Sequence, residues 1–326
     1  MITRRPLLTA GLALSFSLLG LPAVAQTAAA VSGPIRIVVP YGAGGGTDAI
    51  ARMFAPEVGK ILGTSVVVEN RPGAGGIPGS NAVAKAAPDG RTLLLTAGML
   101  VQAPALYSKL PYDVSKDFAP ISVIGRGPLV LVGREDLPGG SLKGFLEEAK
   151  KAPGKYNFGS IAVASTSHLY GEQLNRVAGV KVTHIPYTGP GAALTALIAK
   201  EVDIAFLDYA QAQPHLKTGK LKALGINGKK RLGDGAVPTL EEQGLKGFET
   251  MGFYAVLAPA GTPQPAIAAI SQAFATVANR PEVRQTLMDK QYLDAWGSTP
   301  EEFSDFMRTE LAAWSDIVKA ANVKLD

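Results

Sequence analysis

The chain contains no cysteine and only three histidines, and these two shortages exclude several kinds of chemistry. Without cysteine there is no disulfide, no thiolate nucleophile and no lipid-modified N-terminal cysteine, and the scattered histidines lack the spacing of a metal site. The net charge of +5 is mildly basic. Because no stripe of lysine and arginine with interleaved aromatics occurs, this charge does not predict a nucleic-acid partner. The 326 residues are enough for about two domains with hydrophobic cores of their own.

The first residues have the pattern of an export signal. Arg4 and Arg5 are followed by an apolar run over 7–21 and by an Ala-Val-Ala cleavage site that ends at Ala25. We therefore expect an exported protein from which residues 1–25 are removed. A transmembrane anchor is the alternative, but the apolar run is shorter than the ~20 residues that span a bilayer. The paired arginines resemble a twin-arginine signal only weakly, so both export routes stay open.

The rest of the sequence alternates short apolar runs with helical periodicity, which predicts an α/β fold. Strands are predicted over 35–39, 65–69, 91–96, 119–124, 128–133, 156–160, 180–187, 202–208 and 252–263. The order strand, glycine or serine loop, helix occurs twice, starting near residues 35 and 156, and indicates two related lobes. The last predicted strand returns to the first lobe, so two segments would cross between the lobes and form a hinge beside a cleft.

Local signals mark the ends of two predicted helices. Apolar residues recur at helical spacing from Thr47, and Gly63 is a typical C-terminal stop. Near the end of the chain, Thr299, Pro300 and Glu302 form a capping box with proline at the first helical position. The apolar face of this last helix predicts core packing.

A glycine-rich loop, GAGGGTD at 42–48, follows the first predicted strand and leads into a helix. Backbone N–H groups and the helix dipole favour an anion at such a place. Three anions fit the pattern: a nucleotide phosphate, a catalytic oxyanion, or the carboxylate of a solute that the protein carries.

An exported oxidoreductase with a dinucleotide cofactor is the main alternative to a carboxylate receptor. The segment from Gly44 to Ala49 fits G-x-G-x-x-A, and Glu69 ends the next predicted strand, near the acidic position of the dinucleotide fingerprint. However, an exported protein meets little free dinucleotide, and so short a pattern occurs by chance. No Walker A sequence and no G-x-S-x-G nucleophile elbow is present.

Six segments occur in order along the mature chain: IVVPYGAGGGTDAIAR, VVVENRPGAGGIPGSNAVAKAAPDGRTLL, NFGSIAVASTSHLYGE, THIPYTGPGAALTALIAKEVDIAFLD, LAPAGTP and TPEEF. Together they resemble the Bug family, the periplasmic solute receptors of tripartite tricarboxylate transporters, and the resemblance covers essentially the whole mature chain. It implies a two-lobed periplasmic-binding-protein fold of the second type, with no catalysis and no cofactor. It also implies a small carboxylate ligand, a monomeric receptor located in the periplasm, and the transporter's membrane permease subunits as partner. A sensor kinase is the alternative partner, since it needs the same closing cleft.

On this basis we expect a discontinuous first lobe over 33–132 and 253–326 and a second lobe over 133–252. The resemblance further implies that two loops hold the ligand carboxylate with backbone amides, hydroxyls and ordered water. The first loop covers 41–48 in the first lobe, and the second loop covers 160–168 in the second lobe. The candidate residues in these loops are Tyr41, Gly44, Gly45, Gly46, Thr47, Asp48, Ser160, Ser165, Thr166, Ser167 and His168.

Three of these candidates have expected roles other than donating to the carboxylate. Tyr41 would stack on the ligand. Asp48 would stabilise the helix N terminus by its charge or hold the loop through backbone N–H groups. His168 would orient a loop or cap a helix.

Three more candidates lie near strand ends in the second lobe. Tyr187 and Gly189 are expected to line the cleft floor. Asp208 ends a predicted strand at its carboxyl end, where α/β clefts bind ligands. Its carboxylate suits a ligand that also carries an amine, amide or hydroxyl, and a helix cap is the alternative role.

The chain departs from the family pattern in two places. Ala162 and Ala164 stand where the second loop of the family usually carries glycines, and because alanine rarely adopts a positive φ, we expect this loop to sit differently or to offer fewer amides. The segment that contains Met99 is less polar than in relatives. It either lines the cleft, which favours a ligand less polar than citrate, or packs into the first lobe.

Overall fold

The computed structural model describes residues 31–232 and 235–325, and the predicted leader, 1–25, lies outside them. The described elements are, in chain order, β1 (Ile35–Val39), α1 (Gly46–Leu62), β2 (Val66–Asn70), a 3₁₀ turn (Ala74–Gly76), α2 (Ile77–Ala84), β3 (Thr92–Ala97), α3 (Met99–Leu106), β4 (Phe118–Gly127), β5 (Leu129–Arg134), α4 (Leu142–Lys151), β6 (Asn157–Ser160), α5 (Thr166–Ala178), β7 (Thr183–Pro186), α6 (Pro190–Ile198), β8 (Ile204–Asp208), α7 (Tyr209–Lys217), β9 (Leu221–Ile226), β10 (Gly252–Pro259), α8 (Gln264–Ala278), α9 (Pro281–Gln291), β11 (Asp294–Ala295) and α10 (Pro300–Ala321). Among these helices, none is both long and apolar enough to cross a membrane.

The strands form two separate mixed sheets, one in each lobe. The first has the order β11-β4-β10-β3-β1-β2, and the second has the order β7-β6-β8-β5-β9. In the first sheet β1 runs parallel to β2 and β3, whereas β10 is antiparallel to β3 and β4. In the second sheet β6 runs parallel to β7 and β8, whereas β5 is antiparallel to β8 and β9. The predicted α/β architecture with two lobes is therefore confirmed.

The chain passes between the sheets twice. It leaves the first sheet at Gly127, where β4 ends, and enters the second at Leu129, where β5 begins. It returns between β9 and β10. The segment Leu129–Arg134 thus pairs within the second sheet. The boundary expected from the sequence, in which the first lobe extends to residue 132, differs from this pairing. Two consecutive apolar runs look alike in sequence, and only their long-range partners decide which sheet each one joins.

The elements with the clearest local signals form as predicted. β1 covers the predicted run, and α1 ends at Gly63, whose φ of 66° lies in the left-handed region. Thr299 and Glu302 make both hydrogen bonds of the predicted capping box at the start of α10. β9 and α3 carry no such signals and are not predicted from the sequence.

The last helix, α10, joins the two lobes. It packs against α3 and β4 of the first lobe and against α5 of the second. Its face is fixed by buried Phe303, Met307 and Trp314, as its periodicity predicts. The buried aromatic side chain of Trp314 also contacts Tyr170 of α5, with ring centroids 5.4 Å apart. Hydrophobic packing therefore continues from one lobe to the other behind the cleft.

Candidate functional site

A cavity of about 380 Å³ opens where the two lobes face each other. Its wall comes from strand ends and helix starts: the C-terminal ends of β3 and β8, the first residues of β5 and β10, and the N-terminal residues of α1, α3 and α5. This volume lies in the range of small-molecule sites.

Two helix N termini reach this cavity from opposite lobes. Thr47 at the start of α1, and Thr166 and Ser167 at the start of α5, all line it. The first N–H groups of a helix have no acceptor within the helix, and the helix dipole adds partial positive charge there. The two termini together therefore make a place for an anion without a cationic side chain.

Asp48 holds the first loop in place. Its carboxylate accepts hydrogen bonds from the Gly44 backbone N–H at 2.9 Å, from Arg52 Nε at 3.0 Å and from Asn70 Nδ2 at 3.0 Å. The bond from Arg52 contributes most to a pKa below the ordinary value, although burial of the carboxyl opposes this shift. The carboxylate of Asp48 is thus engaged in hydrogen bonds that hold the first loop, which is one of the two roles expected for it.

The first loop brings only some of its candidates to the cavity. Tyr41 and Thr47 line it, whereas Gly44, Gly45 and Gly46 are not among the described lining residues. Gly46 lies directly behind the wall, since a Cβ atom built there would stand 2.9 Å from Tyr254 Oη. The Tyr41 hydroxyl shares a hydrogen bond of 3.2 Å with Thr96, and burial raises the pKa of this phenol.

The second loop is held by its own side chains. Ser165 caps α5 by accepting from the His168 N–H at 3.4 Å, and its hydroxyl lies 2.7 Å from the carbonyl of Ala162, to which it donates. Ser167 Oγ accepts from the Ile161 N–H at 3.0 Å. Both serines, which are candidate ligand-binding residues, line the cavity. Their hydroxyls, however, already make hydrogen bonds within the second loop.

Ala164 adopts the positive φ, 58°, that we expect alanine to avoid. Its side chain is fully buried, and its N–H donates to His168 Nδ1 at 2.8 Å. Surrounding contacts therefore impose a left-handed conformation that costs an L-residue about 1–2 kcal/mol. The loop keeps a glycine-like turn although it lacks the glycine.

His168 and Ser160 lie behind the second loop rather than in the described cavity wall. Ser160 is completely buried, and its Oγ lies 2.9 Å from the Ala162 carbonyl oxygen and 2.6 Å from His184 Nε2. Because a hydroxyl has one proton, Ser160 donates to the carbonyl and accepts from His184. Burial lowers the pKa of both histidines to about 4, and the nearby charge of His184 adds to the effect on His168.

Tyr187 and Gly189 also support the second loop from outside the described cavity wall. The backbone N–H of Tyr187 donates to the Ser160 carbonyl, and that of Gly189 donates to the Ile161 carbonyl, both at 2.9 Å. The expected position on the cleft floor is therefore not observed. Strand β7 is the edge strand of its sheet, so its end lies to the side of the cleft.

Asp208 does reach the cavity. It occupies the N-cap position of α7, yet its side chain makes no capping bond, and within the described chain it has no hydrogen bond or ion pair. The side chain keeps solvent-accessible surface because it opens on the cavity. Desolvation by the surrounding protein raises the pKa of the carboxyl above its ordinary value. The Asp208 charge in turn adds to the burial that raises the pKa of Tyr254.

Several residues of the wall are missed by reasoning from the sequence. These residues are apolar: Phe206, Leu207, Met251, Phe253, Leu293 and Trp314. Met99 both lines the cavity and packs against the core, so its two expected roles hold together. Nothing local marks the others as cavity residues, because their apolar patterns are those of ordinary core positions.

Gln102 on α3 connects the lobes at the cavity. It is 1% exposed, and its Nε2 donates to Thr166 Oγ1 at 2.8 Å, whereas its Oε1 is buried without a hydrogen-bond partner. A glutamine inside the apolar helix sequence MLVQAPAL is the one sequence signal that points to this residue.

Glu69 does not offer a free carboxylate for a ribose. It lies at the end of β2 as predicted, but Arg36 at 3.2 Å and Arg71 both form ion pairs with it. These arginines hold the pKa of Glu69 below its usual value, with the Arg71 bond contributing most. The carboxylate at the acidic position of the dinucleotide pattern is therefore already paired with arginines of the protein.

Comparison with known proteins gives matches over nearly the whole chain. A family described as the tripartite tricarboxylate transporter family receptor matches residues 50–323. The chain is 33% identical to protein BugT of Bordetella pertussis over 303 residues, which is 90% of each protein. The solved structure of the periplasmic binding protein BugD has a TM-score of 0.76 and 32% identity, over 89% of this chain and 98% of BugD. That of MatC from Rhodopseudomonas palustris with bound malate has a TM-score of 0.76 and 33% identity, over 87% of this chain and 98% of MatC.

Proposed function

Because the chain belongs to the tripartite tricarboxylate transporter receptor family, we propose that it captures a small carboxylate between its lobes and delivers it to a membrane permease. The family assignment agrees with the resemblance seen in the sequence and with the two-lobed periplasmic-binding-protein fold. The matches give no support to the dinucleotide enzyme considered as an alternative. We further propose that the exported chain loses its leader near Ala25 and acts as a monomer.

The observation that carries the proposal is the meeting of two helix N termini at one cavity. A carboxylate between Thr47 of α1 and Thr166 of α5 would accept hydrogen bonds from first-turn amides and from the Thr47 hydroxyl. Among the described lining residues no lysine, arginine or histidine competes for this role. The related receptor MatC, whose structure contains malate, supports a carboxylate as the ligand class.

Delivery follows from closure of the two lobes. A solute that contacts both α1 and α5 binds the closed arrangement better than the open one, so it shifts the population toward closure. The permease would then recognise the closed shape. A sensor kinase that recognises the same shape is the other partner to test.

The first experiment is a binding screen of residues 26–326, unfolded, dialysed and refolded to remove any retained solute. The panel holds aliphatic monocarboxylates, dicarboxylates, citrate, amino carboxylates and aromatic carboxylates, and thermal unfolding is the readout. A ligand at ~100 times its dissociation constant adds about 2.7 kcal/mol to the free energy of unfolding, which raises the Tm by several degrees.

The Thr47→Val variant tests whether the cavity is the binding site. Valine keeps the shape and removes the hydroxyl, so the affinity for the best ligand should fall roughly 10-fold or more, as for a hydrogen bond to a charged group. Thr276→Val, at an exposed position of α8, is the matched control and should bind normally. Absence of any carboxylate binding, or full affinity in Thr47→Val, would contradict the proposal.

A further inference from the structure

The described cavity wall has a single charged side chain, and it is negative. Asp208 lines the cavity, and no lysine, arginine or histidine of the described chain does. A second carboxylate at the far end of a solute would therefore find no cation to pair with and would meet a like charge. Like charges at short range in a desolvated place repel strongly.

Asp208 also lacks partners within the described protein. It stands at the N-cap of α7 without capping it, and the described residues supply no hydrogen bond or ion pair to it. By contrast, Asp48 at the first loop accepts three hydrogen bonds and one of these comes from an arginine. Because the Asp208 side chain opens on the cavity and the described chain supplies no cation for it, a cationic group of the solute is its available partner.

Gln102 is a second polar side chain of the cavity wall. The side chain lines the cavity and is 1% exposed, and its Oε1 atom is buried without a partner. An unsatisfied buried acceptor costs about 1–3 kcal/mol, so native structures rarely leave one without a ligand or a water. The Gln102 Oε1 atom is itself covered by protein, so Asp208 is the acceptor of the described wall that a solute donor can reach.

Much of the remaining wall is apolar, beside the polar side chains of Tyr254 and Gln291. Met99, Phe206, Phe253 and Trp314 contribute to it from both lobes. Such a surface favours a hydrocarbon chain between the two polar ends of a solute, and aromatic faces also favour a cation.

We propose that the solute is an amino carboxylate, with an apolar chain between its carboxylate and a remote ammonium group that pairs with Asp208. This inference rests on the proposed receptor function, since it takes the carboxylate end to lie at the starts of α1 and α5. It differs in class from the malate contained in MatC, which has a carboxylate at both ends.

The test compares solutes that differ only at the far end. Pentanoate, glutarate and 5-aminopentanoate share one carboxylate and one chain length, and butanoate, succinate and 4-aminobutanoate form a shorter set. Isothermal titration of the full mature chain should give an affinity for the amino member that is at least ~10-fold above that for the dicarboxylate of the same set.

The Asp208→Asn variant keeps the size of the side chain and removes its charge. It should weaken the amino compounds at least ~10-fold and leave the monocarboxylates unchanged or slightly tighter. Asp316→Asn, at an exposed position of α10, makes the same change in net charge away from the cavity and should bind like the wild type.

The outcomes separate the two proposals. If glutarate and succinate bind as tightly as the amino members and Asp208→Asn does not alter the order, the amino carboxylate is wrong while the carboxylate receptor stands. If no member of either set and no other carboxylate of the screening panel binds, the receptor function itself fails, and the inference fails with it.

Discussion

The imidazole rings of His168 and His184 are stacked, with centroids 3.7 Å apart and planes 11° from parallel. His168 lies in the first turn of α5 and accepts the N–H of Ala164, whereas His184 lies in β7 and is hydrogen-bonded to Ser160. The stack thus joins the second loop to the sheet behind it. The bond to His168 requires a neutral ring, because a protonated His168 has no acceptor left for the Ala164 N–H.

This stack makes the second lobe sensitive to acid. The pKa of each histidine falls from the ordinary 6.5 to about 4, mainly because burial disfavours the charged form. A lowered pKa in the folded state means that the unfolded chain binds more protons. The free energy of unfolding therefore decreases as the pH falls from about 6.5 toward 4. We expect His184→Gln, which cannot titrate, to show a smaller decrease over this range, measured by urea unfolding at several pH values. Parallel curves for the variant and the wild type would contradict the role given to the pair.

Gly46 is expected to tolerate no side chain because of Tyr254 across the cavity wall. A Cβ atom would lie 2.9 Å from the Tyr254 hydroxyl and 3.3 Å from Gln291 Oε1. Gly46→Ala should therefore displace the phenol and weaken carboxylate binding, and overpacking should lower the free energy of unfolding by roughly 1–3 kcal/mol. Titration with the best ligand of the screen measures the effect.

Two further variants show whether the contact itself is responsible. Gly42→Ala adds the same methyl group in the same loop, where nothing lies within 4 Å of the new atom, and it should bind normally. Tyr254→Phe removes the obstructing hydroxyl. The double variant with Gly46→Ala should therefore lose less affinity than the sum of the losses in the two single variants. An equal loss in Gly42→Ala would mean that loop flexibility, and not this contact, matters.

The parts of the fold that follow from the sequence are those fixed by neighbours along the chain. The stop of α1 at Gly63 and the capping box of Thr299 and Glu302 are local events, and both form as predicted. The pairing of β5 with β8 and β9 depends on residues far away in sequence, so the change of sheet at Pro128 is not predicted.

The same distinction explains which site residues could be found. The sequence identifies Thr47 and Thr166 as site residues because each lies at a predicted helix start, and Asp208 because it lies at a predicted strand end. Gln102 and Trp314 enter the cavity only because α3 and α10 pack beside it, and their own surroundings in sequence are those of core helices. The orientation of a loop is equally non-local, since the His168 bond gives Ala164 a conformation that its residue type disfavours.

Glu310 makes the helix that joins the lobes sensitive to pH in the opposite direction. It is 5% exposed, accepts the Trp314 Nε1–H at 2.9 Å, and has a pKa raised to about 7 by burial. A raised pKa means that the folded state binds more protons than the unfolded state. The contribution of Glu310 to stability is therefore full below the ordinary 4.5 and is lost as the pH rises toward 7.

Glu310→Gln keeps an acceptor for Trp314 and cannot ionise. We expect it to be more stable than the wild type at about pH 8, by on the order of 2 kcal/mol, and to lose this advantage near pH 5. Thermal unfolding at both pH values measures the difference, and Glu301→Gln, at an exposed position in the first turn of α10, is the control. A gain of equal size at both pH values would show that packing, and not ionisation, causes it.

The pH dependence of solute binding separates a charge pair at Asp208 from a simple hydrogen bond. Desolvation raises the pKa of the free Asp208 carboxyl, and a bound ammonium group would favour the ionised form and lower that pKa again. Binding of 5-aminopentanoate then releases a proton wherever the free carboxyl is still protonated. Its affinity should therefore decrease as the pH falls through the raised pKa of Asp208.

The solute's own carboxylate also titrates in acid, so the comparison needs the variant that lacks the protein charge. In Asp208→Asn the solute and the other groups of the protein titrate as they do in the wild type, so the ratio of wild-type to variant affinity isolates Asp208. We expect this ratio for 5-aminopentanoate to decrease as the pH falls, whereas the ratio for pentanoate should stay constant or rise, because protonation of Asp208 removes its unfavourable charge. A ratio that is independent of pH for both solutes would mean that Asp208 binds no cation, since a proton and an ammonium group could not share the carboxylate without competing for it.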